Sequence, residues 1–146
     1  MSVRAEKRYY YALVLDKIRL FGGNWAYVFH RTSETLMSPD DVLSEPQRGF
    51  NAFVDFIFAK REKRITRLMR KVNCARFEGP GYLKKAGVFD TEPRTWFISD
   101  MNLASVKRTQ ELSDAEKRYP LTERIDDTIM MKRVDSRWTP ETDERI

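Results

Sequence analysis

The sequence predicts a mainly α fold: amphipathic helices joined by irregular linkers, with extended tails and no large sheet. Three observations predict it. Between Phe50 and Val72 the apolar residues Phe50, Phe53, Val54, Ile57, Phe58, Ile65, Leu68, Met69 and Val72 recur at three- and four-residue steps. That spacing lays them along one stripe of a long helix. From Val3 to Phe21, residues Tyr10, Val14, Ile18 and Phe21 share a face, with Tyr9, Leu13 and Leu20 beside it. From Leu121 to Trp138, Leu121, Ile125 and Ile129 make one line and Met130, Val134 and Trp138 another.

Local signals punctuate these segments. Gly22 and Gly23 end the first helix, as glycine does where a chain closes in a left-handed turn. Asn24 to His30 then alternates Trp25, Tyr27 and Phe29 with Ala26 and Val28. The alternation is a strand pattern, short enough to leave a second helix open. Ser38-Pro39-Asp40-Asp41 carries a capping serine, a first-position proline and acids near the positive helix end. Ser44-Glu45-Pro46-Gln47 repeats that logic and leads into the long helix.

Glu78-Gly79-Pro80-Gly81 is the strongest breaker, and it divides the chain into residues 1–78 and 79–146. Beyond it, Tyr82 to Asn102 reads as an aromatic, irregular linker containing Trp96, Phe97 and Ile98. Leu112-Ser113-Asp114-Ala115-Glu116 is a capping box, and Pro120 interrupts the short helix it starts. The tail from Thr139 is polar, with Ile146 its one expected core residue.

Composition bounds the function. A chain of 146 residues fits one ordinary domain, and 41% hydrophobic residues are enough for a core. A net charge of +5 favours anionic neighbours: nucleic acid, anionic lipid or acidic protein. The lone cysteine, Cys74, rules out an internal disulfide and fits a reducing compartment. Tyr9–Leu15 and Gly49–Ala59 are the longest weakly charged stretches, and both fall short of the ~20 residues a spanning helix needs. No secretory signal is expected; Arg4, Lys7 and Arg8 with Tyr9 to Tyr11 resemble a mitochondrial presequence, while Glu6 and the lack of serine enrichment count against one and leave the question open.

Catalytic signals are absent. His30 is the only imidazole and reads as a surface or hydrogen-bonded structural residue. Asp40-Asp41 and Asp126-Asp127 are sequence neighbours that point apart on a helix, so they read as first-turn acids. Gly79-Pro80-Gly81 lacks the spacing and lysine of a phosphate loop. One histidine and one cysteine do not make a metal ligand set. The expectation is a non-enzyme without cofactor or metal.

Charge supplies the positive signal. Lys60, Arg61, Lys63, Arg64, Arg67, Arg70, Lys71 and Arg76 meet a single acid, Glu62, in that interval. Such a face suits phosphate, lipid heads or acidic subunits. Aromatics are not interleaved with these cations along the chain, which counts against single-strand binding.

The stretch from Tyr82 to Glu141 resembles the matrix-side ubiquinol–cytochrome c reductase binding-protein family, subunit seven of the cytochrome bc1 complex. The resemblance is carried by Leu83-Lys84-Lys85-Ala86-Gly87-Val88-Phe89-Asp90, by Glu123-Arg124-Ile125 through Met130-Met131-Lys132-Arg133, and by Trp138-Thr139-Pro140-Glu141. It implies a non-catalytic accessory subunit on the matrix side of the mitochondrial inner membrane. Such a subunit would support assembly and stability of a respiratory-chain complex in electron transport.

The expectation is therefore a basic, helical accessory subunit whose partners are other subunits of the complex and anionic lipid head groups. Phe50, Phe53, Val54, Ile57, Phe58, Trp96, Phe97 and Trp138 would dock partners, and the eight cations from Lys60 to Arg76 would contact anions. The alternative is an RNA-contacting protein of an organellar ribosome that lays the same basic helix along phosphate.

Overall fold

A computed structural model describes residues 1–20, 23–44, 48–68, 71–88 and 93–146, with the backbone alone for 16–20. The architecture is mainly β, which overturns the helical expectation. A six-stranded sheet takes β1 (Ser2–Ala5), β2 (Arg8–Leu20), β3 (Gly23–Ser33), β4 (Gly49–Asp55), β5 (Ile65–Thr66) and β9 (Arg124–Asp126) in the order β5-β1-β2-β3-β4-β9. All its pairings are antiparallel except β4 with β9. A second, antiparallel sheet joins β6 (Tyr82–Ala86), β7 (Trp96–Asp100) and β8 (Ser105–Thr109). The α-helices among the described residues are short: α1 (Pro39–Leu43), α2 (Ile57–Arg61), α3 (Asp114–Lys117) and α4 (Asp127–Asp135).

The long helix expected over Phe50–Val72 is instead β4, α2, β5 and an irregular segment. The physical reason is burial on both faces of the sheet. Successive strand residues point to opposite sides, and Phe50 to Val54 are all buried. Phe50, Ala52 and Val54 pack in one cluster, whereas Phe53 packs with Trp25 and Leu83 in another. A strand covered on both sides is apolar throughout, so its residues also satisfy a helical spacing. The segment Val3–Phe21 fails in the same way. Tyr10 and Ala12 belong to the first cluster and Tyr11 and Leu13 to the opposite one, and the strand is bent by three register shifts. Phe21, Gly22, the 45–47 helix start, Met69 and Arg70 lie outside the described residues. Gly23 opens β3 rather than closing a helix.

The local capping signals hold. Ser38 Oγ accepts the Asp41 N–H at 3.2 Å and starts α1. Ser113 and Glu116 form a reciprocal box at α3. The alternating Asn24–His30 stretch lies in β3, and Gly79 and Gly81 adopt φ of +81° and +80° in the turn before β6. The aromatic linker is corrected to β6 and β7, with Trp96 and Ile98 facing the interior.

The expected Leu121–Trp138 helix is shorter, because β9 precedes it. Asp126 caps α4 by accepting the Ile129 N–H at 2.8 Å. Met130 and Val134 then sit on a floor of small residues, Ala26 paired with Ala52, that lets the helix approach the sheet. Trp138 meets Phe50 edge-on, with ring centroids 5.1 Å apart.

The tail is not peripheral. Pro140 and Asp143 are buried, while Ile146 is exposed, which reverses the expectation for both. A buried lysine fastens it. Lys84 is 0% exposed, and its ammonium donates to the Pro140 carbonyl at 2.7 Å and to the Lys117 carbonyl, 5.7 Å from the Trp96 ring. Burial pushes its pKa down to about 8 from 10.5, against the partial support of Asp143. Below about 8 the amine is charged in both the folded and unfolded chain, so the burial cost is complete. Between about 8 and 10.5 only the unfolded chain holds the proton, so rising pH favours folding. The neutral amine keeps two N–H donors for its two carbonyls. Thermal unfolding measured across that window is expected to show a rising midpoint, and the rise should shrink in Lys84→Met.

Candidate anion-binding surface

The fold disperses the expected docking stripe. Phe50, Phe53, Val54 and Trp96 are 3% exposed or less, so they close this protein's own core. Trp138 is half-buried between Phe50 and the Arg133 guanidinium, which lies 4.0 Å from its ring. Three of the eight remain outside: Ile57 and Phe58 on α2, and Phe97 on β7.

The cations fare differently, because the segment that carries them wraps the free edge of the large sheet. Phe56 is buried, and the Asp55 carboxylate accepts the Ile57 N–H at 2.9 Å to start α2. One turn later the chain reverses at Lys63, whose φ of +55° is left-handed. A non-glycine residue held there carries strain of about 1 kcal/mol. The surrounding backbone fixes it: Arg64 N–H donates to Ala59 O at 2.9 Å, and Arg4 N–H donates to Arg64 O at 2.8 Å. β5 then pairs with β1 through Val3–Ile65 and Ser2–Thr66.

One cation anchors the segment and the others are displayed. Arg64 donates to Asp127 at 2.7 Å and to Glu62 at 2.5 Å. Asp127 is 1% exposed, so this guanidinium ties the cationic turn to the first residue of α4. Lys60, Arg61, Lys63, Arg67 and Lys71 are exposed and form no ion pair with the described residues. Arg76 is exposed with its guanidinium 4.8 Å from the Phe77 ring. Arg70 lies outside the described residues. Beside the turn, Arg4, Lys63 and Arg64 line a concavity of about 350 Å³ with Glu6, Glu62 and Tyr9. Its charge is net positive.

Two charge clusters escaped sequence reasoning. The first is the Arg64–Asp127 pair, whose partners stand 63 positions apart. The second lines a concavity of about 530 Å³ and includes Glu123, Arg133, Asp143 and Arg145. There Glu123 accepts from Arg133 and from Arg145 (3.3 Å), and Asp143 from Arg145 at 2.7 Å. Those bonds hold the Asp143 carboxyl below its usual range despite its burial. Its charges are already spent on one another. The sequence marked Arg64 as an anion contact and Asp126-Asp127 as first-turn acids, but not the pairing of Arg64 with Asp127.

The isolated candidates have structural partners. His30 is half-buried, and its Nε2 lies 2.8 Å from the Trp138 carbonyl, which can only accept, so Nε2 carries the proton. Burial lowers its pKa, opposed by that hydrogen bond. Cys74 is half-buried before a 3₁₀ turn at Ala75–Phe77. Among the described residues no three His, Cys, Asp or Glu side chains gather as a metal set. No helix among them is long and apolar enough to cross a membrane.

The division between anchor and display predicts opposite mutational behaviour. Asp127→Ala leaves Arg64 half-buried without its main partner, and is expected to cost about 3 kcal/mol in urea unfolding, the low end for a buried pair. Lys60→Gln or Lys63→Gln should change stability by less than about 0.5 kcal/mol. Equal losses at Asp127 and Lys60 would refute the assignment.

The chain matches no family model, no curated protein and no solved structure.

Proposed function

We propose that this chain is a non-catalytic binding protein that holds RNA phosphate along the cationic turn and edge from Lys60 to Lys71. The observation that carries this reading is the contrast within that segment. Arg64 is committed to Asp127, while Lys60, Arg61, Lys63, Arg67 and Lys71 are exposed without an ion pair among the described residues. Exposed cations that form no ion pair repel one another and cost the fold free energy, and a polyanion relieves that cost while releasing its counterions. The Arg64–Asp127 pair and the pairing of β5 with β1 fix the turn that carries Lys63.

A second reading keeps the accessory-subunit expectation. Ile57 and Phe58, 43% and 53% exposed, stand one helical turn from Lys60 and Arg61. An apolar pair beside cations suits a subunit of a respiratory-chain complex at the mitochondrial inner membrane, docked against protein or anionic lipid heads. It uses two of the eight residues first expected to dock.

Salt separates the two. RNA affinity should fall steeply as salt rises. Replacing Lys60, Arg61, Lys63 and Arg67 together by glutamine is expected to flatten the log–log slope by about 2 to 3, near 0.7 per single-strand contact. Fluorescence anisotropy with labelled RNA measures this. An unchanged slope would sink the phosphate reading. Salt-tolerant capture of membrane subunits, abolished by Phe58→Ala, would support the second.

A further inference from the structure

The small sheet presents a row that linear order conceals. Lys85 on β6 pairs directly with Phe97 on β7, and Phe97 pairs directly with Arg108 on β8. Residues opposite one another in antiparallel strands share a face, so the three side chains stand in line across the sheet. All three are exposed: Phe97 is 40% exposed, and the Arg108 guanidinium lies 5.6 Å from its ring. The opposite face carries Lys84, Trp96 and Ile98 into the interior. Gly87 flanks the row, and a Cβ there would come within 3.8 Å of the Phe97 ring.

We infer that the Lys85–Phe97–Arg108 row is a platform for single-stranded nucleic acid, with one base stacked on Phe97 and phosphates held by Lys85 and Arg108. Three features support the occupant. An exposed ring between two cations matches the alternation of flat base and charged backbone along a strand. By strand alternation, the described residues on that face include no Asp or Glu. The row also runs across strands held in register, which fixes the spacing between ring and charges. A base offers a π-face whatever its identity, so recognition here is of strandedness rather than sequence. A duplex, whose bases are stacked inside, gives Phe97 nothing to hold.

The inference rests on the RNA reading above but uses different residues, so the two can fail separately. The test is anisotropy of the full chain with a short oligouridine strand and with an RNA duplex of equal length. Phe97→Ala is expected to weaken strand binding about tenfold, the loss of one stacked base, and to leave duplex binding unchanged. Phe97→Tyr keeps the ring and should bind the strand as the native chain does. Lys85→Glu, which leaves the ring in place, should weaken the strand by at least as much. Thermal midpoints confirm that each variant is folded. Native-like strand affinity in both Phe97→Ala and Lys85→Glu overturns the platform while the Lys60–Lys71 reading stands. Equal loss of strand and duplex in Phe97→Ala also overturns stacking. A native chain that binds neither nucleic acid at low salt overturns both.

Discussion

Cover on both faces of the large sheet is the constraint from which the remaining architecture follows. Strands β2, β3 and β4 carry large apolar side chains on each side, and neither side can be left to water. Bare, each face would be an aggregation surface; covered, it yields roughly 25 cal/mol for each Å² of apolar area removed from water. α4 and Trp138 supply the lid on one side. α1, the 3₁₀ turn with Phe77, and Leu83 of β6 supply it on the other. Much of the chain outside the three central strands is there to close one side or the other.

Closing both sides leaves polar groups with few ways out, and the structure satisfies them locally. No buried side-chain nitrogen or oxygen among the described residues lacks a hydrogen-bond partner. Asn51, on the face opposite Phe50, donates to the Phe77 carbonyl at 2.6 Å. Lys84 spans from the small sheet to α3 and the tail. Arg64, just before the edge strand, reaches across to α4. Each of these bonds joins segments far apart in sequence, so together they fix how covering elements sit on the sheet. Packing alone tolerates sliding; a directed hydrogen bond does not.

What could be read from the sequence was local, and what could not was long-range. Ser38 and Ser113 cap helices because the hydroxyl meets an N–H only three positions on. Gly79 and Gly81 turn the chain because their own backbone allows it. The alternation at Trp25, Tyr27 and Phe29 marked a strand through residue size. The failures over Val3–Phe21 and Phe50–Val72 share a cause: periodicity separates helix from strand only when one face is polar. Phe50, Phe53 and Val54 are apolar because two different layers claim them, and the same residues at the same spacing mimic a helical stripe. The cationic segment was visible as a charge run, yet its division into one anchor and several displayed side chains depended on Asp127, far downstream. The Phe97 row was invisible for a plainer reason. Its members are separated by 12 and 11 positions (85, 97 and 108), and only strand register brings them together.

The pairing of β4 with β9 has a consequence for the chain as it is made. Residues 53–55 take their parallel neighbours from 124–126, some seventy positions later. For that interval a strand buried at five successive positions, Phe50 to Val54, has one side of its backbone unpaired, a template for any other extended chain nearby. Arg48 stands just before it and Lys60 and Arg61 just after. Charges bracketing an unavoidable apolar strand act as gatekeepers, since a second copy cannot align alongside without bringing like charges together. The same cations that stand exposed in the finished molecule thus guard its nascent form, which ties solubility during synthesis to the displayed charge of the folded surface.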